Sequence, residues 1–364
     1  MEINRFLHNF LSKYMTCDIV IGSTILGFKL IKQAHKRNYS NNFESELGYA
    51  NDTFSVTYPS LCVYHLKKAY VVGQDGFTFT QEKKMIGDNS EFKFYDKKKI
   101  RKPLPFVGKR IEGKCFHLSG KNYENHGHFV TQFLPRLMVF RDFLLGNPNI
   151  KIIISKGQLN WQSIYFEALG FSKERFIETQ YGTLQCDELI YVPNFHGSDS
   201  LVPCEYYQDL KKIFLKSAGK QKLEGYKIIF LSRDNAPNRK IINEEEIISI
   251  ISKRMKMDVK RVFLENYSLP EQIGLFQSAK YVFGPQGQAF LGALFATNSI
   301  FTILDLNMNY KYSRDWAISF RNLGTFTNNK MSRLYVDCEI QKNRNWIQSQ
   351  KETIDHIDKL LSLN

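Results

Sequence analysis

Between residues 227 and 306 the chain alternates short apolar runs with amphipathic stretches, and this rhythm restricts the fold more than any other feature. It reads as strand 227–231, helix 244–256, strand 261–264, helix 270–279, strand 281–283, helix 289–296 and strand 300–304. Alternation of this kind demands right-handed crossovers and hence a parallel sheet covered by helices. All loops leaving the carboxyl ends of such strands emerge at one edge, where ligands bind. Two loops carry chemistry suited to that edge. The first holds Ser232, Arg233, Asn238, Arg239, Asn243 and Glu244, and its two guanidinium groups match the oxygens of a diphosphate. The plainer expectation is that Arg233 and Arg239 pair with Glu244, Glu245 and Glu246 and only cap the helix. The second loop, Gly284-Pro285-Gln286-Gly287-Gln288, lets backbone N–H groups approach an anion at a helix start, although a tight turn needs glycine whatever it binds. Asp305 closes the next strand and fits either a ribose-binding carboxylate or a turn cap.

Upstream, residues 50–120 are rich in Tyr, Phe, Val and Thr, with Asp75-Gly76 as a turn signal, and predict short strands and hairpins. Phe129, Phe133, Leu137, Phe140 and Leu144 recur at helical spacing and predict an amphipathic helix over 129–145 that contains Pro135. Strand 150–154, a helix over 161–169 closed by Gly170, strand 188–192 and a Lys-rich helix over 206–220 follow, with a linker at 219–222. The amphipathic stretch 346–363 predicts a C-terminal helix that packs back on the first domain. At the start of the 129–145 helix lies Asn125-His126-Gly127-His128-Phe129. A histidine there has a pKa suited to general base work. No Cys or His follows at metal-ligand spacing, and a histidine hydrogen-bonded to a neighbouring strand is the plain alternative.

At 364 residues the chain exceeds one typical core, so two domains facing a cleft are expected. Lys plus Arg number 50 against 36 Asp plus Glu, a net charge of +14 that favours anionic partners. The basic residues are scattered, with one compact run at 97–102, and no nucleic-acid motif accompanies them. The six cysteines, Cys17, Cys62, Cys115, Cys186, Cys204 and Cys338, show no pairing pattern, which predicts free thiols in a reducing compartment. The apolar stretch 19–30 is too short to span a membrane and lacks a cleavage site. With Lys13, Lys29, Lys32, Lys36 and Arg37 around it, contact with an anionic membrane surface is one reading, and a buried strand or helix is the other.

The three chemistry-bearing stretches, taken together, resemble glycosyltransferase family 61. Its pattern of an Asn-Tyr-Gly-His-Phe turn followed by Leu-Pro-Arg-Leu is matched by NHGHFVTQFLPRL at 125–137. A Ser-Arg pair, then Ala, Arg and Asn-Glu, is matched by Ser232, Arg233, Ala236, Arg239, Asn243 and Glu244. A Glu-x-x-Ser-x-x-Glu-Gln stretch, a Leu-Phe and a Gly-Pro-His-Gly-Ala-Gly turn are similar to LENYSLPEQIGLFQSAKYVFGPQGQAF, which contains Glu265, Ser268 and the Gly284 turn. Order and spacing agree over residues 120–306, whereas 1–115 carry no such resemblance.

The resemblance implies an α/β, GT-B-like fold: two Rossmann-like domains facing a central cleft, with a β-rich N-terminal extension. The acceptor domain is expected at 1–215, β-rich over 1–120, the nucleotide-sugar domain at 216–335, and the returning helix at 336–364. The implied activity is an inverting, metal-independent hexosyl- or pentosyltransfer without cofactor. A nucleotide-sugar donor, expected to be a UDP-sugar, and a glycan or lipid-linked glycan acceptor serve bacterial capsule or surface polysaccharide synthesis. A cytoplasmic protein is expected, peripheral at the inner membrane and without nucleic acid as partner. Donor contacts are carried over to Ser232, Arg233, Arg239, Asn243, Glu265, Ser268, Gly284, Pro285, Gln286, Gly287, Gln288 and Asp305, and acceptor contacts to Asn125, Gln132 and Arg136. The chain departs from the family at Gln132, usually acidic, at Gln286, usually His, and at Gln288, Ala289 and Gly292. Glutamine cannot take a proton, so the base is expected to be His128, with His126 and Glu124 behind it. The same substitutions motivate a second reading, a catalytically silent scaffold of a membrane-associated polysaccharide assembly.

Overall fold

A computed structural model describes residues 19–20, 28–40, 43, 46–47, 53–86, 108–157, 161–179, 182–197, 201–218, 225–306, 311–336 and 342–363. The basic run 97–102, most of the apolar stretch 19–30, the linker 219–222, Cys17 and Cys338 lie outside the described residues. The chain divides into two compact units, Met1–Lys36 with Thr57–Val202, and Arg37–Val56 with Pro203–Asn364.

The second unit is built on a five-stranded sheet in the order Val259–Val262, Ile228–Leu231, Tyr281–Pro285, Ile300–Leu306, Lys330–Val336, with every neighbouring pair parallel. Numbered along the chain this is 2-1-3-4-5, a doubly wound arrangement. Its strand order reverses between the first and third strands, the point at which such sheets take their ligands. Ile228–Leu231 and Tyr281–Pro285 are buried at every position, as strands covered on both faces require. Helices Glu244–Met255 and Leu269–Ser278 form where periodicity placed them. The helix expected at 289–296 is instead a 3-10 segment, Gln288–Leu294, with five of its seven residues buried. Helix Lys311–Phe326 and strand Lys330–Val336 complete the unit and were not expected.

Two boundaries also move. Helix Cys204–Ala218 belongs to the second unit because it buries Tyr207, Leu210 and Phe214 there: Phe214 packs edge-on to Phe295, and Lys211 donates to the carbonyl of Thr327 at 3.0 Å. The C-terminal helix Gln350–Ser362, expected on the first domain, packs on Glu244–Met255 of its own unit. Its Ile357 and Leu360 join a core with Ile247 and Ile251, and Arg254 pairs with Asp358.

The first unit holds a mixed sheet of nine strands among the described residues. Its order is Ile19–Val20, Met85–Ile86, Phe77–Phe79, Leu61–Val72, Thr183–Tyr191, Lys109–His117, Lys151–Ile154, Phe176–Glu178, with Phe28–Lys32 also paired to Leu61–Val72. The last four strands of the path are parallel, whereas Leu61–Val72 runs antiparallel to Thr183–Tyr191 and Phe77–Phe79. The expected Asp75-Gly76 hairpin joins Leu61–Val72 to Phe77–Phe79. The β-rich front is therefore one half of the same sheet rather than an extension, and the unit is not a second all-parallel sheet. Thr183–Tyr191 knits the halves by offering buried Leu184, Cys186 and Leu189 to one core.

The expected helix over 129–145 is broken into pieces. His126–His128 is one α turn, Phe129–Phe133 a π turn, Leu134–Val139 an α-helix, and Arg141–Gly146 follows a kink at Phe140. Pro135 has no N–H to donate to Thr131, and the wider π turn just before it accommodates the lost bond. No helix among the described residues is long and apolar enough to cross a membrane.

Candidate functional site

In the second unit, the loop after Ile228–Leu231 carries a division of labour among its arginines. Arg261, on the neighbouring strand, takes the acidic residues: it donates to Glu244 at 2.7 Å, Glu245 at 2.6 Å and Asp234 at 3.1 Å. The expectation that Arg233 and Arg239 pair with Glu244, Glu245 and Glu246 is therefore overturned. Neither makes an ion pair among the described residues. Among the described residues the Arg233 Nη2 donates only to Asn238, at 3.3 and 3.4 Å, and its Nε is buried without a partner. Burial, and then the adjacent Arg239, pushes its pKa down to about 10, with Glu265 opposing. Burial lowers Arg239 as well; Asp305 opposes the shift and Arg344 adds to it.

The glycine turn meets Arg233. A Cβ on Gly287 would stand 2.9 Å from Nη1 of Arg233, and one on Gly284 would stand 2.6 Å from the carbonyl oxygen of Leu231. The absence of side chains at both positions lets the loops of strands one and three close together. Pro285 ends its strand in register with Leu304. Gln288 starts a 3-10 segment of seven residues, so no α-helix N-terminus stands behind the turn and the expected helix-dipole contribution falls away.

Several expected donor contacts have other duties here. Asp305 is 5% exposed, lies 3.7 Å from Arg333 and accepts from Gln286, whose amide in its donating orientation reaches both carboxylate oxygens at 3.1 and 3.2 Å. It braces the turn rather than offering an open carboxylate to a ribose. The Ser232 hydroxyl donates to Glu244 at 2.5 Å and accepts from Arg261. Asn243 holds the backbone of Gln348 in both directions, at 2.9 and 3.0 Å. Ser268 and Glu271 form a capping box, and Glu265 accepts from Asn235. The sequence reading missed Arg261, whose role depends on the sheet order that sets it beside Phe230. It also missed Arg333 and Arg344, which lie beyond every motif.

In the first unit, Glu124, Asn125, His126 and His128 share one turn. Asn125 is its cap, accepting from the N–H of His128 at 3.2 Å. His126 accepts from or donates to the hydroxyl of Tyr165 at 2.8 Å and lies edge-on to Trp161. Burial pushes its pKa down to about 4, so it is neutral and structurally engaged. His128 is also lowered by burial, with Gln132 opposing. Glu124 is exposed and accepts from Tyr123 at 3.2 Å. Gln132 is buried and accepts from Asn194 at 3.0 Å. Arg136, expected at the acceptor, is 1% exposed. Its guanidinium donates to the carbonyls of Val192, Leu118, Ser119 and His117. It is a buried brace, because those carbonyls belong to buried residues and need a donor from the protein. Trp161 is 41% exposed beside His126 and Phe129.

The second unit is thus a doubly wound α/β structure with a cationic loop at its switch point. Residues 126–302 match the family described as Glycosyltransferase 61, and on that match the chain is a glycosyltransferase. The match begins at His126 and ends at Thr302, before Asp305, Arg333 and Arg344. No curated protein matches the chain.

Proposed function

We propose that this glycosyltransferase takes a nucleoside-diphosphate sugar, with the diphosphate on Arg233 and Arg239, and transfers the sugar with inversion to a glycan acceptor without a metal ion. The observation that carries the donor assignment is the pair of half-buried arginines that make no ion pair among the described residues, with Arg233 against Gly287 at the switch point of the parallel sheet. Two adjacent cations with depressed pKa values cost free energy until an anion arrives. A leaving diphosphate between two guanidinium groups is stabilised by charge-assisted hydrogen bonds, the service a metal renders in other transferases.

Inversion needs one base to take the acceptor proton as the hydroxyl attacks opposite the leaving group. His128 fits that role better than His126, which is committed to Tyr165. A histidine lowered by burial is unprotonated near neutrality and so able to accept. The exposed indole of Trp161, packed edge-on to His126 of that turn, offers an apolar face to a sugar ring. A GT-B arrangement, a UDP-sugar donor and a role in capsule or surface polysaccharide synthesis at the inner membrane complete the reading, supported by the family resemblance.

Calorimetric titration with UDP-, GDP- and CMP-sugars tests it. Binding of a nucleoside-diphosphate sugar that disappears in Arg233→Ala is the expected result; no binding of any nucleotide would remove the donor site.

A further inference from the structure

The loop that carries Arg239 does not stand alone. Residues 343–348, outside the span shared with the family, run beside residues 239–243 and are stitched to them along their length. The N–H of Arg239 donates to the carbonyl of Asn343 at 3.1 Å, and the N–H of Lys240 to Oδ1 of Asn345 at 3.0 Å. Trp346 N–H donates to Lys240 at 3.0 Å, Ile242 N–H donates to Trp346 at 2.8 Å, and Asn243 closes the ladder on Gln348. Trp346 itself is 1% exposed in the core, with its indole N–H on Gln348. The strap is therefore held to the loop by backbone hydrogen bonds and by the buried Trp346.

The backbone at the junction is unusual. Arg239, Asn343 and Arg344 all have left-handed φ values, of 58°, 66° and 58°. Asparagine tolerates that region, but for an arginine it costs on the order of 1 kcal/mol. Two arginines accept this cost at one junction, one on each side of the hydrogen bond between Arg239 and Asn343. Arg344 is exposed, and its charge opposes that of Arg239. Strain and like-charge repulsion in one place point to a ligand that compensates both.

We propose that Arg344 is a third cation of the diphosphate site, delivered by the C-terminal strap, and that Asn345 is a positioning residue that holds the Arg239 loop in its left-handed conformation. The proposal rests on the donor site proposed above. Three guanidinium groups suit the multiple charges of a diphosphate better than the single phosphate of a nucleoside monophosphate. Arg344 would bind the ligand directly, whereas Asn345 would act only through the loop.

Titration of UDP, UMP and inorganic pyrophosphate into the full chain, at low and high salt, tests the assignment. Arg344→Ala is expected to weaken UDP and pyrophosphate binding about tenfold, to weaken UMP less, and to make UDP binding less sensitive to salt. Arg344→Lys should restore part of the loss, and the melting temperature without ligand should not fall, since the side chain is exposed. Asn345→Ala should weaken UDP binding while leaving its salt dependence unchanged. If Arg344→Ala binds UDP as the parent does while Arg233→Ala does not, the third cation is wrong and the donor site stands. If neither variant differs from the parent, both fall.

Discussion

Arg233 is kept charged in a place where charge is costly, with a buried Nε that has no partner among the described residues and a second guanidinium beside it. That cost is released by an anion, so Arg233→Ala is expected to raise the Kd for UDP by roughly 10- to 100-fold, read by calorimetry, without lowering the melting temperature. His128→Ala has the opposite signature. Loss of a general base lowers kcat by about 10²- to 10⁴-fold and leaves the Kd for UDP in place, a split that steady-state kinetics and calorimetry resolve together. Arg136, in contrast, serves four buried carbonyls. Arg136→Met should cost about 3 kcal/mol or more, because those acceptors lose their donor; soluble yield and the denaturation midpoint report it. The motif spacing made Arg233 and Arg239 legible from the sequence. It did not show that Arg136, Ser232, Asn243 and Asp305 are braces, since a brace and a ligand contact use the same side chains and differ only in what surrounds them.

At the scale of elements, hydrophobic periodicity located each strand of the second unit's parallel sheet up to Ile300–Leu306 within a few residues. It misjudged the segments where a local constraint overrides the period. Pro135 breaks one expected helix into α and π turns. Gly292 lies so close to the ring of Phe276 that a Cβ would stand 1.9 Å from it, and the chain there closes into a 3-10 segment. Gly292→Ala should therefore destabilise by about 1–3 kcal/mol through overpacking, measurable as a lowered denaturation midpoint. Ser268 offers the cleanest separation of cap from contact. Its hydroxyl and N–H both reach Glu271 at 2.7 Å, so Ser268→Ala should cost about 1 kcal/mol and leave UDP affinity unchanged. A large loss of affinity with normal stability would return Ser268 to the donor site.

For the molecule as a whole, the two units share a titration signature. His126, half-buried in one, and His356, buried in the other, have pKa values pushed down to about 4 by burial. A histidine whose folded pKa lies below the unfolded value of about 6.5 binds fewer protons folded than unfolded between those limits. The associated stability is complete above about pH 6.5 and declines as pH falls toward 4, by up to roughly 3 kcal/mol per histidine. Thermal melts from neutral to mildly acidic pH should fall steadily across that window, and a flat profile would contradict the buried neutral state. The division into units was only partly legible: length and alternation indicated two, but nothing local revealed that Cys204–Ala218 and Gln350–Ser362 both pack within the second. Long-range packing of apolar faces decides that, and an amphipathic face does not name its partner. The central claim is that the loops leaving strands Ile228–Leu231 and Tyr281–Pro285 hold a donor diphosphate, and the most direct measurement is a crystal structure with UDP bound. Phosphate oxygens within about 3 Å of the guanidinium groups of Arg233 and Arg239 are the predicted result; UDP ordered elsewhere, with those two arginines untouched, would contradict it.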